Sequence, residues 1–489
     1  MPIKRADVNL SELFGKDRAQ EDKNLKFYFV KTTQYSEIQN GEKELVLGRK
    51  GSGKSAMFTM LAEDAANSSD TIPVKISFNG EDFIYIQNWL SQHNFTESLN
   101  DDWKYSLAWK DFIISELIYS AIHTDYLEFL DKSLKQKLIN DGFMEENAWK
   151  RFAKSVIKSF KGVELPENLG KFSFDFSTLT DFTSTDKNNL EDALNNLISN
   201  NKFFVVIDNL DEPWKNNDSM NSWLRGLIFS IRQIKRDYRN IKVVAFLRTD
   251  IYDVISKGSD LFDSKNEITT ILWDDNNYFG LKQLVAARIA HYFDKDYPTT
   301  FNEINTLWNY IFPKTYTYNH HPNFVSDYII DRTFQRPREL LQFCHLLVEV
   351  SKSTYFPLDE NVISPAEIQY SNWKVNDISG EYSQTCKNID KCIMSFVGVS
   401  DSWTWSATAL LEHLENLDSH DILINAITNT PYTPKESLDF LYKIGFLRKV
   451  IKQPGKRLRY RMYNEDSSIN YTKSVFDIHP AFRKKFTTY

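Results

Sequence analysis

Leu45-Val-Leu-Gly48-Arg-Lys-Gly51-Ser-Gly53-Lys54-Ser55-Ala56 is the stretch that decides the fold: an apolar run, a glycine-rich turn, then a lysine and a serine opening a second apolar pattern. Gly48 to Ser55 match GxxxxGKS at every fixed position. Glycines at 48, 51 and 53 let consecutive backbone N–H groups point inward around a β-phosphate, where side chains would obstruct them. Lys54 then reaches the β- and γ-phosphates, and Ser55 offers its hydroxyl to Mg²⁺. Met57, Phe58, Met60 and Leu61 continue as the apolar side of a helix whose positive N-terminus faces the anion. Gly48, Gly51, Ser52, Gly53, Lys54, Ser55 and Ala56 are therefore the expected cradle for ATP. A glycine turn beside a surface lysine would explain none of the flanking pattern.

Reading outward, IPVKISF at 72 to 78 alternates like a strand, and KFFVVIDNLDEPW at 202 to 214 and IKVVAFLRTDIY at 241 to 252 each begin as buried strands. Helical patterns separate them, so the expectation is an α/β fold with a P-loop NTPase parallel sheet. The expected organisation is a lead-in over 1–40, a nucleotide-binding core over 41–285 with a helical insertion at about 103–161, a helical lid over 286–375, and a further domain over 376–489. In that last part, helical patterns near 393–397, 407–414 and 436–444 precede strand candidates at 446–451 and 457–463 around Gln453-Pro454-Gly455-Lys456. Three helices and a hairpin read as a winged helix.

Bulk properties narrow the class. The chain has 489 residues, 42% hydrophobic and 14% aromatic, enough for several packed cores. Its net charge of −7 argues against a wholesale nucleic-acid coat while leaving room for a local basic patch. The apolar runs are too short to cross a bilayer, and MPIKRADVNL lacks the core of a signal peptide, so a cytoplasmic protein is expected. Cys344, Cys386 and Cys392 have no metal-ligand spacing and suit a reducing compartment.

Five apolar residues, Phe203 to Ile207, deliver Asp208 to the carboxyl end of a buried strand, where open parallel sheets bind ligands. Asp208 is the expected Mg²⁺ ligand, acting through water, with Ser55. Efficient hydrolysis also needs a group that polarises the attacking water. Asn209 cannot act as a base, which leaves Asp211 or Glu212, either of which could instead cap the following helix. Arg248 and Thr249 end a strand expected beside that of Asp208, where a cation or hydroxyl could contact the γ-phosphate; Arg248 could sense triphosphate versus diphosphate, or simply pair with Asp250 or Asp253. Arg225 reads as an arginine finger or as part of a solvated helix face.

The phosphate loop, the hhhhDxxDE form of the second motif and the strand ending in Arg248 resemble the AAA+/STAND superclass of P-loop ATPases. FYFVKTTQY at 27–35, LVLGRKGSGKSA at 45–56 and IDNLDE at 207–212 are most like a sparsely characterised prokaryotic family of such ATPases. The resemblance implies that Pro337, in QRPRELLQF, packs near the nucleotide and that His479, in FDIHPAFRKKF, contacts the β-phosphate of ADP in a closed state. A similarity to origin-recognition-type AAA+ proteins makes Arg338 the sensor on the lid. The plain alternatives are a helix-starting proline, a paired arginine and a core histidine. An effector domain and a repeat sensor, usual in STAND proteins, are not expected here, and Asn209 in place of an acid favours slow turnover.

Between Phe440 and Asn464 lie Lys443, Arg448, Lys449, Lys452, Lys456, Arg457, Arg459 and Arg461 and no acid. On a recognition helix and wing these would meet duplex DNA, and alternatively the wing would dock on protein. Two functions follow as expectations. The first is an ATP-hydrolysing switch controlling oligomerisation or partner binding, as a homo-oligomer or with a separate effector protein, and the resemblance to STAND proteins implies a role in antiviral defence. The second is a DNA-binding AAA+ loader.

Overall fold

A computed structural model describes residues 3–16, 19–78, 102–123, 136, 152, 183–211, 214, 216–257, 261, 266–273, 278–318, 320–399, 402–451 and 459–486. The chain divides into two compact units, Arg18–Leu272 and Met1–Asp17 with Trp273–Tyr489. The segment expected as a lead-in to the sheet is thus split. Lys4 bridges to Tyr355 and the Arg5 N–H donates to Thr354 O at 2.9 Å, so the first residues belong with the C-terminal unit.

The first unit is a five-stranded sheet built from β1 (Leu45–Gly48), β2 (Thr71–Ser77), β3 (Lys202–Asp208), β4 (Ile241–Arg248) and β5 (Ile268–Thr270). All neighbours are parallel, in the order β2-β3-β4-β1-β5, which matches the α/β expectation. β3 is buried from Phe203 to Asp208, as a central strand covered on both faces must be. The strand after Asp208 in sequence, β4, lies between β3 and β1, so all three end at one edge.

Helix α1 (Lys54–Ala66) leaves the glycine turn. The crossovers are α2 (Asp102–His123), α3 (Ser184–Asn200) and α4 (Asp218–Asp237), followed after β4 by α5 (Thr249–Ile255). α4 starts where Asn217 Oδ1 accepts from Met220 N at 2.9 Å, with Asp218 in the first turn and Lys235 and Arg236 in the last, complementing its dipole. The start of the expected insertion, α2, is core. Trp109 is fully buried, donates Nε1–H to Trp223 O at 3.0 Å, and clusters with Phe78, Phe112 and Trp223. The helices touch closely at Gly226, where a Cβ would come within 2.8 Å of the Tyr105 carbonyl carbon. The rest of the expected insertion, apart from Gln136 and Phe152, lies outside the described residues.

The second unit begins with α6 (Tyr278–Tyr292), α7 (Phe301–Ile311), a hairpin of β6 (Thr315–Tyr318) and β7 (His321–Phe324), α8 (Val325–Ile330), α9 (Pro337–Glu349) and α10 (Ile363–Glu381). It continues through α11 (Ile389–Met394), β8 (Thr404–Ser406), α12 (Ala407–Glu415), α13 (Pro434–Ile444), β9 (Leu447–Ile451), β10 (Arg459–Arg461), β11 (Val475–Ile478) and α14 (Pro480–Phe486). The four strands form an antiparallel sheet in the order β10-β9-β11-β8. Among the described residues, no helix is long and apolar enough to cross a membrane.

Candidate functional site

The turn between β1 and α1 is built from residues that few side chains could replace. Gly51 and Gly53 have φ of 79° and 104°, the left-handed region that favours glycine. Gly48 is required for space instead: a Cβ there would strike Ser52 Oγ and approach Lys54 Cγ to 3.2 Å. Lys54 is 8% exposed and folds back over the turn, its Nζ donating to Gly48 O at 3.0 Å and Arg49 O at 3.3 Å. Ser52 lies within the turn and is buried, and Ser55 and Ala56 fall in the first turn of α1.

Across the edge, Asp208 ends β3 with 2% exposure. The Ser55 hydroxyl, the Asn209 N–H and the Lys54 charge lie near its carboxylate and favour its ionised form. Burial outweighs these and holds the Asp208 pKa above the ordinary carboxylate range. Its Oδ2 is buried without a hydrogen-bond partner among the described residues. A carboxylate oxygen left unsatisfied beside a serine hydroxyl is a donor set that suits a hard divalent cation such as Mg²⁺.

Asn209 adopts φ of 61° and its Nδ2 donates to Ser77 Oγ at 2.9 Å, tying the ends of β3 and β2. Asp211 lies 4.0 Å from the Arg248 Nε, whereas Glu212 lies outside the described residues. Arg248 is engaged by Asp250 through both Nε at 3.0 Å and Nη2 at 2.7 Å. Arg225 donates to Asp102 at 2.7 Å and to Ser222 at 2.9 Å, so this guanidinium is an intrachain clasp between α4 and α2.

In the second unit Pro337 occupies the first turn of α9 and Arg338 is exposed, whereas Arg336 is buried. Arg336 Nη1 donates to Glu381 Oε2 at 3.0 Å and lies 3.5 Å from Glu339 Oε1. Glu339 also accepts from Phe334 N at 2.7 Å, the Tyr370 hydroxyl at 2.9 Å and Lys374 Nζ at 2.8 Å. Sequence reasoning missed this network, although Glu339 falls on the same stripe as Leu340, Phe343 and Leu347, where an acid requires a partner. His479 is 5% exposed, its ring packs edge-on to Phe334 at 4.8 Å, and Nδ1 accepts from Ala481 N at 3.2 Å. Burial first, and then Arg448, Arg483, Lys374 and Arg332, push its pKa well below the usual histidine value.

Of the basic hairpin, Arg448 pairs with Asp477 at 2.7 Å and stacks over Tyr460 at 3.7 Å, and Lys449 pairs with Asp466 at 2.8 Å. Lys443 is half-buried on α13. Arg459 and Arg461 are exposed on β10, and Lys456 and Arg457 lie outside the described residues.

Residues 280–379 match the model of a FunZ-associated C-terminal helical domain, covering most of α6 through α10. Over 274 residues the chain is 25% identical to an Escherichia coli (strain K12) protein named "Putative transposon gamma-delta 80.3 kDa protein". That alignment takes in 54% of this chain and only 38% of the relative's length.

Proposed function

We propose that the chain is an ATP-binding and hydrolysing conformational switch of the AAA+/STAND type, in which nucleotide state controls oligomerisation or partner binding. The observation that carries this reading is that Asp208, at the end of a strand two places from β1 in the sheet, is buried with an Oδ2 unpartnered among the described residues, beside Lys54 and Ser55 of the glycine turn. In this reading the sheet is a P-loop NTPase core and the C-terminal helices and sheet are a winged helix.

The residues divide the work. Backbone N–H groups of the glycine turn surround the phosphates, and Lys54 exchanges the carbonyls of Gly48 and Arg49 for phosphate oxygens. Ser55 and Asp208 would hold Mg²⁺, which neutralises phosphate charge when bound. Asp211 or Glu212 polarises the attacking water, and Asn209 beside Asp208 adds no base, which supports slow turnover.

Arg459 and Arg461, exposed on one strand, favour a second reading as a DNA-binding AAA+ loader. The relative's name supports a setting among mobile genetic elements, carried on one or acting against one.

Hydrolysis rate and particle mass of wild type and Lys54→Ala, each with and without duplex DNA, test both readings. A rate insensitive to Lys54→Ala refutes the nucleotide site. Stimulation by DNA that disappears in Arg459→Ala/Arg461→Ala promotes the loader.

A further inference from the structure

We propose that a groove in the C-terminal unit, between α13 and the loop from β10 to β11, accepts the basic strand β10 of a second copy of this chain. The groove has a volume of about 390 Å³, and its lining combines two kinds of side chain. Tyr432, Phe440, Tyr463 and Tyr471 contribute four half-buried rings. Glu436 and Asp439 contribute two carboxylates from one face of α13.

Neutral donors hold both acids in place. Glu436 Oε2 accepts from Thr433 N and from Thr433 Oγ1, each at 2.8 Å, and Asp439 accepts the Tyr471 hydroxyl at 2.8 and 2.9 Å. Neither contact offsets a carboxylate's charge. Lys443 is the one cation of the lining, against two acids. Rings and carboxylates together suit a guanidinium, which can stack on the one and donate to the other, and they repel phosphate. Lys435, which does not line the groove, already places its Nζ 5.4 Å from the Tyr471 ring centre.

The chain carries the complement of this groove. β10 is the outer strand of its antiparallel sheet and is exposed at all three residues, with Arg459 and Arg461 on one side. Tyr460, on the other side, lies under the Arg448 guanidinium at 3.7 Å, which leaves the two arginines turned away from that stack. Among the described residues, Arg459 and Arg461 make no ion pair within their own chain. The spacings also agree. Arginines two apart on a strand stand about 7 Å from each other, and acids three apart on a helix about 5–6 Å, so two guanidiniums can meet two carboxylates at once. A two-fold pair of chains would make the contact twice.

The test is sedimentation equilibrium of the full chain without nucleotide, at concentrations up to about 300 μM, since a contact of this size is expected to be weak. Wild type should dimerise, and the dissociation constant should rise at least about tenfold in Glu436→Gln/Asp439→Asn, which keeps the cap and the Tyr471 contact. Glu436→Lys/Asp439→Lys alone and Arg459→Glu/Arg461→Glu alone should stay monomeric, because groove and strand then carry the same charge. An equimolar mixture of those two should dimerise again. Lys54→Ala should associate like wild type, so the outcome does not depend on the nucleotide site. A monomeric wild type, or a dimer that Glu436→Gln/Asp439→Asn leaves unchanged, overturns the inference. So does a mixture that stays monomeric although both charge-reversed variants keep the wild-type Tm; if either unfolds, the neutral variant alone decides. Loss of duplex DNA binding in Arg459→Glu/Arg461→Glu with no change in mass would overturn it as well and assign the strand to nucleic acid.

Discussion

Two glycines of the same turn should fail in different ways when changed to alanine. Gly53 has φ of 104° and open space around its Cβ position, so Gly53→Ala meets no neighbour and its whole cost is backbone strain. That strain is about 1–2 kcal/mol for a residue with a side chain held in the left-handed region. For a cooperative unit the size of Arg18–Leu272, each kcal/mol moves Tm by about 2–4 °C, which gives a fall of about 2–8 °C. Gly48 has no positive φ, so alanine is tolerated by the backbone, but the new methyl meets Ser52 Oγ and the Lys54 stem. Those groups must move, and the Lys54 Nζ loses its place over the turn. Gly48→Ala should therefore lose nucleotide affinity by about tenfold or more with little change in Tm, since the Lys54 contact with a phosphate is charge-assisted. Thermal unfolding without nucleotide and titration with a fluorescent ATP analogue separate the effects. Unchanged Tm in Gly53→Ala together with wild-type affinity in Gly48→Ala would refute the reasoning.

Three further outcomes follow from buried charges. Asp208 has its pKa raised by burial, so the stability it contributes is full below the ordinary carboxylate value of 3.8 and is lost as pH rises through the raised value. Asp208→Asn should therefore raise Tm at pH 7, with the gain shrinking toward pH 4, while abolishing ATP hydrolysis; a lower Tm at pH 7 contradicts this. His479 has its pKa depressed, so its contribution is full above the ordinary 6.5 and is lost as pH falls below it. Tm of His479→Gln, measured between pH 7.5 and 5, should decline less steeply than wild type, and parallel curves would argue against it. Lys374 is fully buried on Glu339, and Lys374→Met leaves that acid short of its main counter-charge, at a cost of about 3–5 kcal/mol measured by denaturant unfolding.

The sheet was legible because its central strands are continuous apolar runs, and a parallel sheet covered on both faces demands that pattern from Phe203 to Ile207 and from Val243 to Leu247. The glycine turn was legible because the required backbone angles admit few residue types. What escaped reading depends on partners far along the chain. Arg336 and Arg338 flank the same proline, and nothing local says which faces inward. Glu381 and Lys374, which fix Arg336 and Glu339 in the interior, lie on another helix. The same holds for the first residues, which join the C-terminal unit through a bridge from Lys4 to Tyr355 that no local pattern announces.

The basic hairpin shows the physical limit of counting charges along a segment. Phe440 to Asn464 contain no acid, yet Arg448 is offset by Asp477 and Lys449 by Asp466, both beyond that window. Ion pairing across a fold is set by which strands become neighbours: β11 pairs with β9 in the register Arg448↔Asp477, which brings that acid directly opposite. Net local charge therefore overstates the positive field this sheet presents. Of the described hairpin cations, Arg459 and Arg461 on the outer strand β10 are the exposed ones. Lys452, Lys456 and Arg457 lie outside the described residues; among the described cations phosphate binding by this face would start from Arg459 and Arg461, and changing both to alanine should lower the log–log salt slope of any DNA binding by about two.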